Sequence, residues 1–146
     1  MIDDLKLLVE CESPTEDLQA CNRVVGVASE ISKRVLGDSG SIIQEQGRPV
    51  LWIGSKTPEI VLLCHLDTVW PIGSFIPLWK VDGDVVSGPG CYDMKAGFIQ
   101  ALYAMQSLDF DRVALIATTD EETGSATSRD LIEQVSKSAK EIGRAH

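Results

Sequence analysis

The chain has 146 residues, which is enough for one domain with its own hydrophobic core. Its formal net charge of -9, from 13 basic and 22 acidic residues, argues against nucleic acid or an anionic membrane as a partner. The acidic start of the chain argues against a signal peptide. The lack of a long apolar run argues against a membrane span.

Two helices are predicted before residue 40. Apolar residues of the first are spaced as on one helix face: Ile2, Leu5, Leu8 and Val9. The segment Ser13-Pro14-Thr15-Glu16 has the pattern of a capping box with proline at the first helical position, so it predicts the start of the second helix. That helix carries an apolar stripe from Leu18 to Val35, and Gly37 is its predicted end.

Strand patterns follow. Residues 41–46 and 50–53, separated by Gly47-Arg48-Pro49, predict a hairpin at a sheet edge. The continuous apolar runs Ile60 to Cys64 and Val113 to Ala117 are typical of strands buried on both faces.

The remaining patterns complete an α/β arrangement. Asp82-Gly83-Asp84 predicts a turn between two short strand segments. Asp93 is predicted to open a helix, and Ser125 is predicted to cap the last helix. The alternation of helices with apolar strands predicts an α/β fold with a mostly parallel sheet sandwiched by helices.

The four cysteines lack the CxxC spacing of zinc-thiolate sites. Cys21 falls on the apolar face of a predicted helix, and Cys64 falls inside an apolar strand. These cysteine positions favour reduced, buried thiols. Because thiols stay reduced in the cytoplasm, the sequence predicts a cytoplasmic location.

One histidine and several carboxylates follow the predicted strands. His65 and Asp67 come directly after the first apolar strand, and residues two apart in a strand point to the same face. Asp93 follows a Gly-Pro-Gly loop, and Asp120-Glu121-Glu122 follows the second apolar strand. Because ligands of open α/β sheets bind beyond the carboxyl ends of strands, we expect these groups to meet in one crevice. An imidazole with several carboxylates is suited to a zinc site.

Each of these segments also has a structural interpretation. His65 could be a polar end to a strand, Asp93 an ordinary N-cap, and the acidic triplet at 120–122 the charged first turn of a helix. Lys95 is expected to be solvated or paired with a carboxylate. The combination of the segments favours the functional interpretation.

Three blocks, His65-Leu66-Asp67-Thr68-Val69, Gly88 to Gly97 and Thr119 to Ser125, carry a family resemblance. In this order they resemble the signature blocks of the di-zinc aminoacylase/carboxypeptidase family. That family includes glutamate carboxypeptidases of the carboxypeptidase-G type, acetylornithine deacetylases, succinyl-diaminopimelate desuccinylases and aminoacylases. The resemblance runs from the first helix to about Lys140 and implies a zinc-exopeptidase-like catalytic domain, here incomplete.

The resemblance implies two zinc ions, with cobalt or manganese as possible replacements. His65 would bind one ion, Asp93 would bridge both, and Glu122 would bind the second. Glu121 would be the general base, and Asp67 would hydrogen-bond the far nitrogen of His65 and thereby set its tautomer. The resemblance also implies a cis peptide beside Asp93.

The implied activity is hydrolysis of an amide bond by a zinc-activated water. The implied substrate is a small molecule, an N-acyl amino acid or a peptide with a free carboxylate. The resemblance also implies that a full-length family member forms a homodimer through a domain absent from this chain.

Residues 1–140 are predicted to be the N-terminal portion of the catalytic domain, and residues 141–146 an artefactual tail. Residues 142–146 correspond to one reading frame of a common sequencing adapter, and the tail contains the only other histidine, His146. We therefore expect a truncated chain that is inactive alone. The alternative is a natural short chain that acts as a noncatalytic metal-binding or interaction module.

Overall fold

A five-stranded sheet forms the centre of the computed structural model, which describes residues 1–144. Its strands are β1 (Ser41–Glu45), β2 (Arg48–Gly54), β3 (Ile60–His65), β6 (Val113–Thr118) and β7 (Glu141–Arg144). They lie in the order β1-β2-β6-β3-β7. β2 pairs antiparallel with both β1 and β6, whereas β3 pairs parallel with β6 and β7. All these strands except β2 therefore run in one direction, which confirms the mostly parallel sheet.

Helices cover both faces of this sheet. The helices are α1 (Ile2–Glu10), α2 (Leu18–Leu36), α3 (Ala96–Ala104) and α4 (Arg129–Ser138). In β2, Leu51 and Ile53 belong to the core cluster beneath α1, α2 and α3, while Val50 and Trp52 belong to the cluster that contains Val135 of α4. This alternation follows from the two-residue period of a strand, and it produces the predicted sandwich.

The predicted starts of the second helix and of the last helix are wrong. The second helix begins at Leu18, where the Asp17 carboxylate accepts a hydrogen bond from the Ala20 amide at 2.9 Å, and not in the segment 13–16. The Ser13 hydroxyl instead donates to the Leu66 carbonyl at 2.6 Å. The last helix follows Ser128, because Ser125 adopts a positive φ of 55°. The predicted end at Gly37 is confirmed, with that residue in the left-handed conformation at φ 78°.

The segment between β3 and α3 crosses the edge where the predicted site lies. It contains a small hairpin of β4 (Lys80–Asp82) and β5 (Val85–Ser87), which confirms the turn predicted at Asp82-Gly83-Asp84. An irregular turn, Cys91–Lys95, then leads into α3. None of the helices described in residues 1–144 is long and apolar enough to cross a membrane.

Candidate metal centre

His65 is the last residue of β3, and its imidazole is buried. Its Nε2 lies 3.0 Å from Oδ1 of Asp93 and 3.8 Å from Oε2 of Glu121. On the other side of the ring, Nδ1 lies 3.1 Å from the backbone carbonyl of Asp67 and 3.4 Å from its Oδ1. Acidic groups therefore face both ring nitrogens.

Asp67 lies in the loop after β3 and is fully buried. Besides facing the imidazole, its carboxylate accepts hydrogen bonds from the amides of Glu121 and Glu122, at 3.3 and 3.2 Å. The hydroxyl of Thr15 also donates to it, at 2.8 Å. Asp67 lies beside Nδ1 of His65, and its nearest oxygen to that nitrogen is the backbone carbonyl and not the carboxylate.

The prediction that Asp93 opens a helix is wrong. It lies in the turn before α3 with extended backbone angles, φ -112° and ψ 98°, and the peptide bond to Met94 is cis, as the family resemblance implies. Its side chain is 53% exposed, so one carboxylate oxygen contacts His65 while the group stays accessible from the crevice.

Glu121 and Glu122 follow β6 in a short helical turn, Glu121–Thr123. One ligand atom each from His65, Asp93 and Glu122 can be chosen so that all lie within 4.8 Å of one another. A neutral imidazole nitrogen and carboxylate oxygens are ordinary zinc donors, and this spacing suits one ion or two neighbouring ions that share a carboxylate. The residues present therefore fit a zinc site.

Asp120 differs from its two neighbours because it is buried and structural. Its carboxylate accepts hydrogen bonds from the amides of Thr127 and Ser128, at 2.8 and 3.0 Å, and from both their hydroxyls, each at 2.7 Å. These bonds hold the loop that follows the Glu121–Thr123 turn. The sequence offered one signal for this role, the Thr-Ser pair just before the last helix, but the acidic triplet concealed it.

Lys95 is neither solvated nor paired with a carboxylate, contrary to expectation. Its side chain is completely buried, and Nζ donates to the carbonyls of Leu8 and Cys11, both at 2.9 Å. Burial lowers the pKa of Lys95 to about 8. The lysine thus ties the turn that carries Asp93 to the end of α1.

The electrostatics of the crevice favour a cation. Burial lowers the pKa of His65, but hydrogen bonds and charges of nearby carboxylates, led by Asp67, outweigh burial and raise it to about 9. Burial raises the pKa of Glu122; the His65 charge opposes this shift, and nearby carboxylates reinforce it. The raised pKa of His65 reflects an excess of negative charge in a partly buried space, which a metal ion would neutralise.

Glu122 lines two open clefts. The larger, of about 560 Å³, has mostly apolar walls that include Pro14, Val69 and Ile72. The smaller, of about 320 Å³, is lined by Asp93 and by the aromatic pair Trp70 and Phe75, whose rings meet edge to face at 5.1 Å. A molecule bound beside Glu122 therefore has apolar space available in both clefts.

Known proteins share this architecture. The chain is 28% identical to carboxypeptidase G2 of Pseudomonas sp. (strain RS-16) over 155 residues, covering 95% of the chain and 36% of that protein. It superposes with a TM-score of 0.72 and 17% identity on the M20 family metallo-carboxypeptidase Sso-CP2 from Sulfolobus solfataricus, covering 99% of the chain and 36% of that structure. For human carnosine dipeptidase 1 the TM-score is 0.70 at 22% identity, covering 98% of the chain and 37% of that structure.

The chain thus spans about a third of the length of these relatives. The structural similarities, all below 25% identity, establish the fold. The profile of peptidase family M20/M25/M40 matches residues 61–145, which include every residue of the candidate site. The chain therefore belongs to peptidase family M20/M25/M40.

Proposed function

We propose that this chain contributes the metal centre of a hydrolase that cleaves an amide bond in an N-acyl amino acid or in a peptide with a free carboxylate. The observation that carries the proposal is the convergence of His65, Asp93 and Glu122 within 4.8 Å, with Glu121 beside the same imidazole. Membership of a peptidase family supports hydrolysis as the reaction class.

His65 would hold one zinc ion, Asp93 would bridge to a second, and Glu122 would hold that second ion. Asp93 suits the bridging role because its exposed carboxylate has one oxygen 3.0 Å from Nε2 of His65. Zinc supplies a Lewis acid that polarises a carbonyl group and makes water more acidic. Cobalt or manganese would be accepted by the same nitrogen and oxygen donors.

Glu121 would be the general base. Its carboxylate lies 3.8 Å from Nε2 of His65 and is partly exposed, so it can reach a water molecule at the floor of the crevice. It would take a proton from that water and return it to the leaving amine. Asp67 would hold the ring of His65 and, through the amides of Glu121 and Glu122, the turn that carries both glutamates.

The substrate class is supported by the shape of the site and by the relatives. An amide placed at Glu122 could extend its acyl part and its amino acid part into the two clefts that this residue lines. The relatives include a carboxypeptidase and a dipeptidase by name. The homodimer expected of a full-length family member and the cytoplasmic location remain predictions.

Two neighbouring isosteric substitutions test the metal assignment. Zinc and cobalt affinity of the 146-residue chain is measured by calorimetric titration for the wild type, Glu122→Gln and Glu121→Gln. Glu122→Gln should weaken binding by about tenfold or more, because it removes a charged ligand. Glu121→Gln should retain the wild-type affinity within about threefold, since the base is not a ligand. Equal effects of the two substitutions would contradict the division of roles.

Hydrolysis is tested in a longer protein. We propose that residues 1–140 are the front portion of a catalytic domain and that residues 141–146 differ from its natural continuation, with residues 141–144 occupying as β7 the place of a natural edge strand. Sequencing the source locus beyond the codon for Lys140 tests this assignment. In the resulting protein, Glu121→Gln should keep zinc and lose most turnover of N-acyl amino acids. Zinc binding without hydrolysis by the wild type would favour the noncatalytic module.

A further inference from the structure

The segment between α1 and α2 is bonded to the loop that carries Asp67. The amide of Thr68 donates to the carbonyl of Ser13 at 2.9 Å, and the amide of Thr15 donates to the carbonyl of Thr68 at 3.1 Å. The Ser13 hydroxyl adds a bond to the Leu66 carbonyl at 2.6 Å. Backbone and side-chain bonds therefore fix the distance between Thr15 and Asp67, although 52 positions separate them.

The hydroxyl of Thr15 is a donor to the Asp67 carboxylate within this contact. Oγ1 lies 2.8 Å from Oδ2 of Asp67, and the two residues are 4% and 0% exposed. The same hydroxyl lies farther, at 3.4 Å, from the Thr68 carbonyl. A buried carboxylate needs fixed donors because water is not available to solvate it, so this bond restricts how the carboxylate can rotate.

The orientation of Asp67 determines what its two oxygens contact. Oδ2 accepts from Thr15 and from the Glu122 amide, which leaves Oδ1 toward Nδ1 of His65 and the Glu121 amide. Rotation of this carboxylate would disturb the imidazole and the turn of the two glutamates together. A single hydroxyl outside the metal site can therefore affect groups on two different strand ends.

We propose that Thr15 is a positioning residue that acts through Asp67 on His65, Glu121 and Glu122. The inference rests on the proposed metal site, but it concerns a hydrogen bond that exists without any ion. Its consequence is that the short segment before α2, far from the signature blocks in sequence, sets the metal affinity of the site.

The test uses three substitutions in the 146-residue chain. Thr15→Val removes the hydroxyl at nearly constant volume, and Thr15→Ser retains it. Ser32→Ala is the matched control, because it removes a buried hydroxyl whose bond, 2.6 Å to the Asp38 carbonyl, lies in another part of the fold. If the valine variant does not fold, Thr15→Ala replaces it, since alanine removes the same hydroxyl without adding a methyl group.

Two measurements are made on each variant. The first is affinity for zinc, with the visible spectrum of the cobalt-loaded protein as a signature of ligand geometry. We expect Thr15→Val to weaken zinc binding about tenfold, at the lower end of the effect of groups that support metal ligands. Thr15→Ser should restore it. The second is the NMR chemical shifts of the Glu121 and Glu122 amides and of the His65 ring in metal-free protein. Of the three variants, only Thr15→Val should change these chemical shifts.

The outcomes separate this inference from the proposed function. Unchanged affinity and unchanged resonances in Thr15→Val would overturn the positioning role. An equal loss of affinity in Ser32→Ala would also overturn it, because the effect would then be one of overall stability. Shifted resonances in a protein whose wild type binds no zinc would reject the metal site and leave the Thr15 contact to Asp67 established.

Discussion

Three consecutive carboxylates, Asp120 to Glu122, have different surroundings at the end of β6. Asp120 is buried and accepts bonds from Thr127 and Ser128. The two glutamates lie on the crevice, and their amides are held by Asp67. A carboxylate can therefore support a loop or face the crevice, depending on the hydrogen-bond donors that the fold brings to it.

Asp120→Asn should destabilise the fold. The amide replaces one acceptor oxygen with a donor, so some of the hydrogen bonds from residues 127 and 128 are lost. Bonds to a charged acceptor contribute about 1.5–3 kcal/mol each, and we expect the free energy of unfolding to fall by about 2–3 kcal/mol. Urea denaturation measures it, with the exposed Asp84→Asn as control. A loss no greater than that of the control would contradict this role of Asp120.

At the scale of elements, the site depends on how α1, α2 and α3 meet. Lys95, the last residue of the turn that carries Asp93, donates to two carbonyls at the end of α1. Asp4 of α1 in turn accepts hydrogen bonds from Tyr103 of α3, at 2.6 Å, and from Arg34 of α2. α1 therefore connects the helical layer to the turn that carries a proposed ligand.

The Asp4 contact predicts a pH dependence of stability. Burial raises the pKa of Asp4, but the hydrogen bonds from Tyr103 and Arg34 outweigh it, so the pKa lies below its ordinary value of 3.8. The stabilisation is therefore fully present above pH 3.8 and is lost as the pH falls through the lowered folded-state pKa. Asp4→Asn should cost about 2 kcal/mol of unfolding free energy at pH 7.

Urea denaturation at pH 7 and at successively lower pH measures the Asp4 effect. The gap between the unfolding free energies of wild type and Asp4→Asn should narrow as the pH falls from 3.8 through the lowered pKa of the folded state, below which both side chains are neutral. Asp3→Asn, on an exposed position of the same helix, is the control and should show little effect. A gap that stays constant down to the acid transition would contradict the assignment of the contact.

At the scale of the whole molecule, the site exists only in the folded chain. Its groups come from the end of β3, the turn before α3 and the turn after β6, and the parallel pairing of His65 with Thr118 brings the two strand ends together. A metal ion that binds these groups therefore binds the folded state much more tightly than the unfolded one. Metal binding should accordingly raise thermal stability.

Zinc at about 100 times its dissociation constant should add about 2.7 kcal/mol of stability, which corresponds to a rise in Tm of roughly 5–10 °C for a domain of this size. Thermal melting followed by circular dichroism, with zinc and with a chelator, measures the shift. His65→Ala, which lacks a proposed ligand of one ion, should show a markedly smaller rise in Tm with zinc. A comparable rise in that variant would indicate that zinc binds elsewhere.

Much of the fold could be predicted from local patterns. The apolar runs at 60–64 and 113–117 became the paired strands β3 and β6, and the hairpin at 41–53 lies at the predicted sheet edge. The apolar stripe after Leu18 became α2, which ends at Gly37. These patterns depend on the period of each element and on burial, which are properties of neighbouring residues.

The sequence by itself determined the order of the helices and of strands β1 to β6, because that order follows from periodicity and turn signals, and its signature blocks named the candidate ligands His65, Asp93 and Glu122. Only the tertiary structure decided which polar groups meet. The Ser13 hydroxyl bonds to Leu66 and not to a helix amide, Lys95 is buried against α1, and Thr15 contacts Asp67. Short polar side chains have local and distant partners of similar strength, so the fold selects between them by the distances it sets.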